Sequence, residues 1–447
     1  MKATAEFRAV GFPGYTANMT RRTDILIAGA GAAGLTAAIS LAQAGFQVTV
    51  AGRLDSARNG RTVALFEASV QLYLSLGLLE SIAPLSTPLE RIRLIDDTTS
   101  LFRSEPVLLR AAEIDLDAFG INIANTDLVA ALADTARQTE GVALIEDLLS
   151  DFVISSTGVS ALLGGGGRIE ASLLVGADGR NSTVRKAAGI GFQEWSYPQT
   201  ALTAILWHER SHVQTSTEFH TRSGPCTLVP LPPSPEHKHR SSLVWLMPPA
   251  DATRRMALDD AALAREIQAQ VHDLHGGMGL EGPRGAFPMS GLRCHRLTST
   301  RVALVADAAH AFPPIGAQGL NLGLRDVAQL VASLGKFGRA DAGAQAALAD
   351  YEAARRLDVA SRIAGVAALN QSLLLHETSI DFIRAAGFAA MANIGPLRRA
   401  LMREGIAPAG RLPPLMRKPA NSRKKPPAAD FQGRAATDST AEAALDR

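Results

Sequence analysis

The chain has 447 residues, of which 47% are apolar and 20% charged, the make-up of a globular protein large enough to bury a substantial core. Its 45 Lys and Arg against 43 Asp and Glu leave a net charge of +2, which argues against general attraction to nucleic acid. Two cysteines, Cys226 and Cys294, are too few for a disulfide framework or a four-thiolate zinc cluster. No eighteen-residue apolar run is present, so a spanning helix is not expected, and Glu6, Arg8 and Pro13 interrupt what would be the apolar core of a secretory signal.

Residues 1–22 read as a flexible leader. Residues 24–28 form a short apolar run, 32–44 have helical composition, and Gly45 followed by 46–50 reads as a helix stop and a second strand, the opening of a βαβ unit. Residues 61–76 read as a helix ending at Gly77, and 91–96 alternate as a strand. Asn125-Thr-Asp-Leu128 is the expected N-cap of a helix over 128–138. Two strand-like runs between Val153 and Val175 flank Gly164-Gly-Gly-Gly167, read as a hairpin turn because no helix follows it. Residues 200–247 are strand-rich around a Pro/His loop at 230–239, which suggests an antiparallel layer. Residues 301–305 carry a buried-strand signal, and 321–334 and 344–375 are helical. In the last of these, Leu348, Tyr351, Val359, Ile363 and Val366 share one face, the mark of core packing. From 418 to 447 Pro, Ala, Ser and charge predominate, and disorder is expected.

Three motifs carry chemistry. Gly29-Ala-Gly31-Ala-Ala33-Gly34 follows a strand and opens a helix, the context in which glycines let a pyrophosphate approach helix N-terminal amides. The acid expected for ribose hydroxyls about twenty residues on is missing, since the strand end reads Val50-Ala51-Gly52-Arg53. Two readings stand: Arg53 or Asp55 substitutes, or these are loop charges. The second motif is Leu174-Val-Gly-Ala-Asp178-Gly179-Arg-Asn-Ser182-Thr-Val-Arg185, and the third runs from Arg301 through Asp307 and His310 to Pro313-Pro314-Ile-Gly316-Ala-Gln318-Gly319-Leu320-Asn321. His237-Lys-His239 lacks carboxylate or thiolate neighbours and reads as a solvated loop, so no metal site is expected. His310 reads as structural ahead of proton-handling, and Arg325 and Asp326 are expected to cap or pair along their own helix.

In this order and spacing the motifs resemble the single-component flavoprotein aromatic hydroxylases, and within them the UbiH-type ubiquinone-biosynthesis hydroxylases. The resemblance spans about residues 24–408. Gln318-Gly-Leu-Asn-Leu-Gly-Leu-Arg-Asp326-Val looks like the ubiquinone branch, whereas Pro313-Pro314-Ile-Gly316-Ala317 looks like the hydroxybenzoate hydroxylases. The implied fold is α/β: a Rossmann-like FAD-binding lobe (24–80, 125–185 and 290–335) interleaved with an antiparallel β-sheet substrate lobe (81–124 and 186–289), followed by C-terminal helices (336–410). By the same resemblance Gly29, Gly31, Ala33 and Gly34 meet the ADP part of FAD, with Arg53 on the adenosine or phosphate side. Arg61 lies beside the pyrophosphate and flavin, Asn125 joins the cofactor site, and Asp178 supports FAD and transient NAD(P)H. Asp307 takes the ribitol, with Ala306 where the family has glycine. Pro314, Gly316, Gly319, Leu320 and Asn321 form the loop facing the flavin pyrimidine edge.

The implied reaction is hydroxylation of a polyprenylated phenol. NAD(P)H reduces FAD, O2 adds at flavin C4a, and the terminal oxygen of the hydroperoxide passes to the ring. No catalytic side chain is implied. Hydroxybenzoate hydroxylases use a tyrosine pair to activate the phenol, and none of Tyr15, Tyr73, Tyr197 and Tyr351 stands where that relay needs it. The alternatives are a hydroxylase of a small soluble phenol, marked by the lack of a long apolar channel, and a non-catalytic flavin-binding scaffold subunit. Cytoplasmic residence is expected. Between Arg398 and Lys425 nine basic residues face Glu404 alone, which reads either as a solvated tail or as peripheral contact with the inner membrane or a biosynthetic-complex partner.

Overall fold

The computed structural model describes residues 20–54, 60–98, 104–374, 378–406 and 412–418. The apolar run at 24–28 lies within a longer strand, Thr20–Ala28, whose last four residues are fully buried. The last residues assigned to the leader, 20–22, are therefore strand, and Arg22 pairs with Glu170 at 3.0 Å. Thr20–Ala28 runs parallel to Val48–Ala51 on one side and to Arg168–Gly176 on the other. Val142–Ile145 and Val302–Leu304 extend the parallel order outward. Leu149–Ile154 and Val159–Leu163 join antiparallel beside Arg168–Gly176, and the turn at Gly164–Gly167 links the last two of these strands as a hairpin, as expected. Helices Ala32–Gln43, Asn125–Gln138 and Gln318–Phe337 cover this sheet, and their apolar faces close the largest core.

The second sheet has nine strands and is antiparallel except where Thr215–Thr221 runs parallel to Arg91–Asp96. Its spine is Phe192–His208, which pairs with Arg240–Met247 and Gly285–Cys294. Gly285–Cys294 and His310–Ala311 thus belong to this sheet, although they flank or fall inside the third cofactor segment, because the strand continues past residue 290 before the chain crosses back.

The expected helix over 61–76 is half strand. Thr62–Phe66 is extended and pairs antiparallel with Gly120–Ala124, and only Glu67–Ser75 is helical. Thr-Val-Ala-Leu-Phe suits a pleated, half-buried surface, and tertiary pairing decides its state. With Ser86–Pro88 these strands make a third sheet of three strands between the larger two.

Helix Gln345–Leu374 packs on Gln318–Phe337, with Leu348, Tyr351, Val359, Ile363 and Val366 buried as their spacing predicts. Thr378–Asn393 and Gly395–Ile406 complete the helices. Residues 412–418 return to the core, where Met416 is buried and Lys418 pairs with Glu67 at 3.0 Å. The rest of the basic tail lies outside the described residues. Among those described, Arg398 and Arg403 pair with Glu113 and Asp115, so part of the C-terminal charge is neutralised locally. Among the described residues no helix is long and apolar enough to cross a membrane.

Candidate functional site

The first motif shows why each glycine is there. Gly29 has φ +110°, and a Cβ on it would overlap the carbonyl of Ala177 on the neighbouring crossover; a Cβ on Gly34 would overlap the carbonyl oxygen of Gly29. These two set the turn and the close helix-to-strand contact. Gly31 has no atom within 4 Å of its would-be Cβ and instead borders a cavity. It is the N-cap of Ala32–Gln43, and no side chain caps that helix, so its first amides are open to an anion. The missing ribose acid also has a cause: a Cβ on Gly52 would sit 2.5 Å from the Ala30 nitrogen, so the strand end is pressed against the turn. Arg53 is exposed beside it, and Asp55 lies outside the described residues.

The third motif approaches the same cavity from the other side. Strand Val302–Leu304 leads into a short 3-10 turn, Ala306–Ala308, that presents Asp307 on the cavity wall. The protein crowded around this wall raises the Asp307 pKa, against the pull of His310, Arg180 and Arg61, although the side chain itself is open to the cavity. Ala306 holds φ +53°, a left-handed conformation that glycine adopts freely and alanine does not. Pro314, Gly316, Gly319 and Leu320 line the wall beyond, and the uncapped N-terminus of Gln318–Phe337 sits there too. Two helix N-termini thus belong to one cavity, each a site for partial negative charge.

Not every expected residue reaches the cavity. Ala33 and Asn125 do. Asn125 is not the N-cap: it is the first helical residue, Ala124 is the cap, and no side-chain capping bond forms. Arg61 lies over the Phe287 ring at 5.4 Å. Asp178 Oδ2 accepts from Thr183 N, Thr183 Oγ1 and Val184 N, so it fixes the turn after its strand, while Oδ1 is buried without a partner. The Asn321 side chain is fully engaged away from the cavity. Its Oδ1 accepts from Phe66 N at 2.9 Å and Ser69 Oγ at 2.7 Å, and its Nδ2 donates to Ala64 O and Ala317 O at 2.7 Å each. It ties the start of helix Gln318–Phe337 to strand Thr62–Phe66.

Arg325 and Asp326 pair across helices, not along their own. Asp326 Oδ2 accepts from Ala306 N at 3.0 Å and meets His310 Nε2 at 2.6 Å, and its Oδ1 accepts from Arg355 Nε at 2.8 Å. Arg355 and Arg325 both reach Asp358. Burial would raise the Asp326 pKa, but His310 and Arg355 hold it below the ordinary carboxylate range. The reason is geometric: Asp326 faces the turn at Ala306 and helix Gln345–Leu374, and a buried carboxylate takes the nearest cations.

His237 and His239 are also not simply solvated. His237 stacks on Trp207 at 5.2 Å, and His239 stacks on His208, which in turn stacks on His275 at 4.5 Å. Among the described residues no group of three or more His, Cys, Asp or Glu is arranged to hold a metal.

The cavity encloses about 1,020 Å³. From the glycine turn it passes Asp307 and ends among Ile92, Leu94, Val244, Phe388, Met391 and Leu401. Sequence reading missed Glu218 and His220 on its wall, although period-two alternation in Thr215-Ser-Thr-Glu-Phe-His220 already places Ser216, Glu218 and His220 on one face. The donor set suits FAD: uncapped amides and an open glycine for a pyrophosphate, a carboxylate for a ribityl hydroxyl, and a second helix N-terminus for the flavin edge.

Residues 22–367 match the family model described as FAD binding domain. The chain is 34% identical to the ubiquinone hydroxylase UbiL of Rhodospirillum rubrum, over 88% of this chain and 91% of that one. It is 30% identical to the 3-demethoxyubiquinol 3-hydroxylase of Escherichia coli, over 86% and 98%. Among solved structures, the p-nitrophenol 4-monooxygenase PnpA of Pseudomonas putida shares the fold with a TM-score of 0.71 at 17% identity, over 86% of this chain and 97% of that one. The chain belongs to the FAD-binding-domain family and is an FAD-dependent aromatic monooxygenase.

Proposed function

We propose that the protein hydroxylates the ring of a polyprenylated phenol on the route to ubiquinone, with FAD, NAD(P)H and O2. The relatives are named for ubiquinone and demethoxyubiquinol hydroxylation, and the observation that carries the reading here is the apolar depth of the cavity. The space of about 1,020 Å³ serves cofactor and substrate together, and beyond the residues assigned to the cofactor it is walled by Ile92, Leu94, Phe388, Met391 and Leu401, apolar side chains that suit a prenyl chain. FAD, when bound, takes reducing equivalents from NAD(P)H and activates O2 for transfer to the ring. The chain's residues do the rest. Gly31 and the amides after it would receive the pyrophosphate, Asp307 a ribityl hydroxyl, and the amides at Gly319 and Leu320 the charge on the flavin edge. The apolar wall excludes water and orients the ring.

The test is oxidation of NAD(P)H by purified holoenzyme with a prenylated phenol and with the same phenol lacking the prenyl chain, together with quinone-precursor profiling in a deletion strain. Faster turnover with the prenylated compound, a hydroxylated product and accumulation of an under-hydroxylated prenyl precursor are expected. Equal preference for the bare phenol would favour the small-substrate alternative, and FAD binding without phenol-stimulated oxidation would favour the scaffold.

The basic tail is the second part of the reading: Arg423, Lys424 and Lys425 would draw the protein to an anionic bilayer that holds such a substrate. Truncation must start after Lys418, because Met416 belongs to the core. The shortened protein should bind anionic liposomes more weakly at low salt; unchanged binding rejects the role.

A further inference from the structure

Helix Gly395–Ile406 has two faces in different surroundings. Met402 and Ile406 are buried in a cluster with Phe66, Leu109, Ile114 and Phe388. Arg398 is held by Glu113 Oε2, which accepts from its Nε at 2.8 Å and lies 2.7 Å from its Nη2, and Arg403 reaches Asp115 at 3.1 Å. These contacts fix the rotation of the helix about its axis. The opposite side carries Leu397 and Leu401, one turn apart, with Ile394 just ahead of the helix, its carbonyl accepting from Arg398 N. Ile394 and Leu401 are 49% exposed and Leu397 40%. Single apolar side chains on a surface need no explanation, but three at i, i+3 and i+7 on a pinned helix make a patch.

The patch is also the rim of the cavity. Leu401 lines it, and so does Gly387, exposed on the neighbouring helix Thr378–Asn393. Phe388, Met391, Ile92 and Leu94 continue the apolar wall inward. Beside the patch, Arg399 has no acidic partner among the described residues. Glu404, exposed three residues past Leu401, lies 3.5 Å from Arg362, so charge resumes where the apolar run ends. A protein seated here would close the mouth. A bilayer would leave it open, take the aliphatic side chains into the boundary of its acyl layer and offer phosphate to Arg399. Among the described residues no helix is fit to span a membrane, so the contact is one of lying in the surface.

We propose that Ile394, Leu397 and Leu401 dip into one leaflet of a phospholipid bilayer, so that the cavity opens to the acyl layer between Leu401 and Gly387. Entry of a lipid-dissolved substrate through that mouth rests on the reading of the protein as a prenylphenol hydroxylase; the docking itself does not. Arg362, Asn393 and Glu404 stay at the level of the headgroups. The contact is apolar where that of the basic tail is ionic, and salt separates the two. At about 1 M salt the Debye length is about 3 Å and the tail is silenced, while burial of aliphatic surface persists.

The test uses full-length holoenzyme at that salt concentration, with vesicles of phosphatidylcholine alone or mixed with phosphatidylglycerol. Ile394→Asp combined with Leu397→Asp changes no residue of the cavity wall. The double variant should keep its FAD content and its turnover of 2-prenylphenol in solution, bind either vesicle ~10-fold or more weakly, and lose ~10-fold or more in turnover of a long-chain prenylphenol held in vesicles. Separately, Leu397→Cys can be labelled with an environment-sensitive fluorophore, since both native cysteines are buried. The label should shift to the blue on vesicles and be quenched by lipids brominated in the acyl chain. Vesicle binding that the aspartates leave unchanged, or a label that stays in water, overturns the docking. A patch that ignores lipid but joins two copies of the chain, which the aspartates separate, overturns it in favour of a protein contact. Docking with unchanged turnover of the vesicle-held substrate overturns the mouth. Docking by a wild type that no phenol stimulates overturns the function and leaves the bilayer contact standing.

Discussion

Gly31 and Gly34 lie three residues apart on one turn, yet a methyl group added at each should have opposite consequences. Gly31 has φ −80° and ψ 178°, which alanine adopts without strain, and nothing stands within 4 Å of the added carbon. The apoprotein of Gly31→Ala should therefore be as stable as wild type, or more stable by about 0.4–1 kcal/mol, because the unfolded chain has less freedom to lose. The methyl would instead occupy the approach to the open amides of Ala32–Gln43. Losing one charge-assisted hydrogen bond there costs about 1.5–3 kcal/mol, a roughly 10- to 100-fold weaker Kd for FAD. Gly34→Ala places its carbon against the Gly29 carbonyl, whose own carbon is 3.1 Å away, and the backbone on both sides is fixed by the sheet. Overpacking of that kind costs about 1–3 kcal/mol with or without cofactor. The assay is thermal melting of apoprotein with and without FAD. At 100 times Kd the ligand adds ~2.7 kcal/mol to wild type, and at the same concentration a 100-fold weaker variant should lose most of that gain. A Gly31→Ala apoprotein that melts well below wild type, or that FAD stabilises as strongly as wild type, would refute the division of labour.

Ala306→Gly should be neutral or stabilising by about 0.5 kcal/mol in urea unfolding, since release of a left-handed alanine (~1–2 kcal/mol) outweighs the added freedom of glycine in the unfolded chain; the ~1 kcal/mol loss usual for alanine-to-glycine changes would show that no strain is held there. The imidazoles behind the cavity predict acid sensitivity: burial lowers the pKa of His208 to about 4 and of His212 to about 3, and that of His275 well below its ordinary value. Neutral in the fold but protonated near 6.5 when unfolded, each contributes stability that is complete above pH 6.5 and falls by about 1.4 kcal/mol per pH unit, down to about pH 4 for His208. Melts from pH 8 to 4.5 should show this limb, and His275→Leu should flatten it; an unchanged slope in the variant contradicts the assignment.

Much of the glycine-turn end of the cavity was legible in the sequence because backbone makes it. A glycine that must have positive φ, or must let neighbouring backbone approach, leaves the same letter at the same spacing in any such fold, which makes Gly29 and Gly34 legible, while Gly31 belongs to the pattern because it borders the cavity. Asp307 is legible for a related reason, since the strand ends in a carboxylate that the following turn sets on the cavity wall. What failed depends on distant partners. Thr62–Phe66 is a strand because Gly120–Ala124 lies beside it. Asp326 leaves its own helix because Arg355, twenty-nine residues on, is nearer than any helical neighbour. The pair on the substrate wall needed both kinds of information. Alternation puts Glu218 and His220 on one face, but only the register with Arg91–Asp96 and Gly224–Leu231 makes that face apolar and turns it to the cavity.

The charges around the cavity follow one rule, that each carboxylate near the reaction space has a histidine beside it. Asp307 is under the pull of His310, and Glu218 is bonded to His220. His310 cannot move freely to serve a proton, because Asp326 holds its Nε2 at 2.6 Å while also bonding Ala306 N and Arg355. Two long helices thus lock the Asp307 turn in place, and the cost of burying Asp326 and Arg355 is offset by their mutual pairing. His220 is held in the same way, with Glu218 on Nε2 at 2.6 Å and Nδ1 buried without a partner, as the Nδ1 of His310 also is. The two histidines differ in place and not in pairing: His310 belongs to the frame that fixes the Asp307 turn, and His220 belongs to the sheet that walls the cavity.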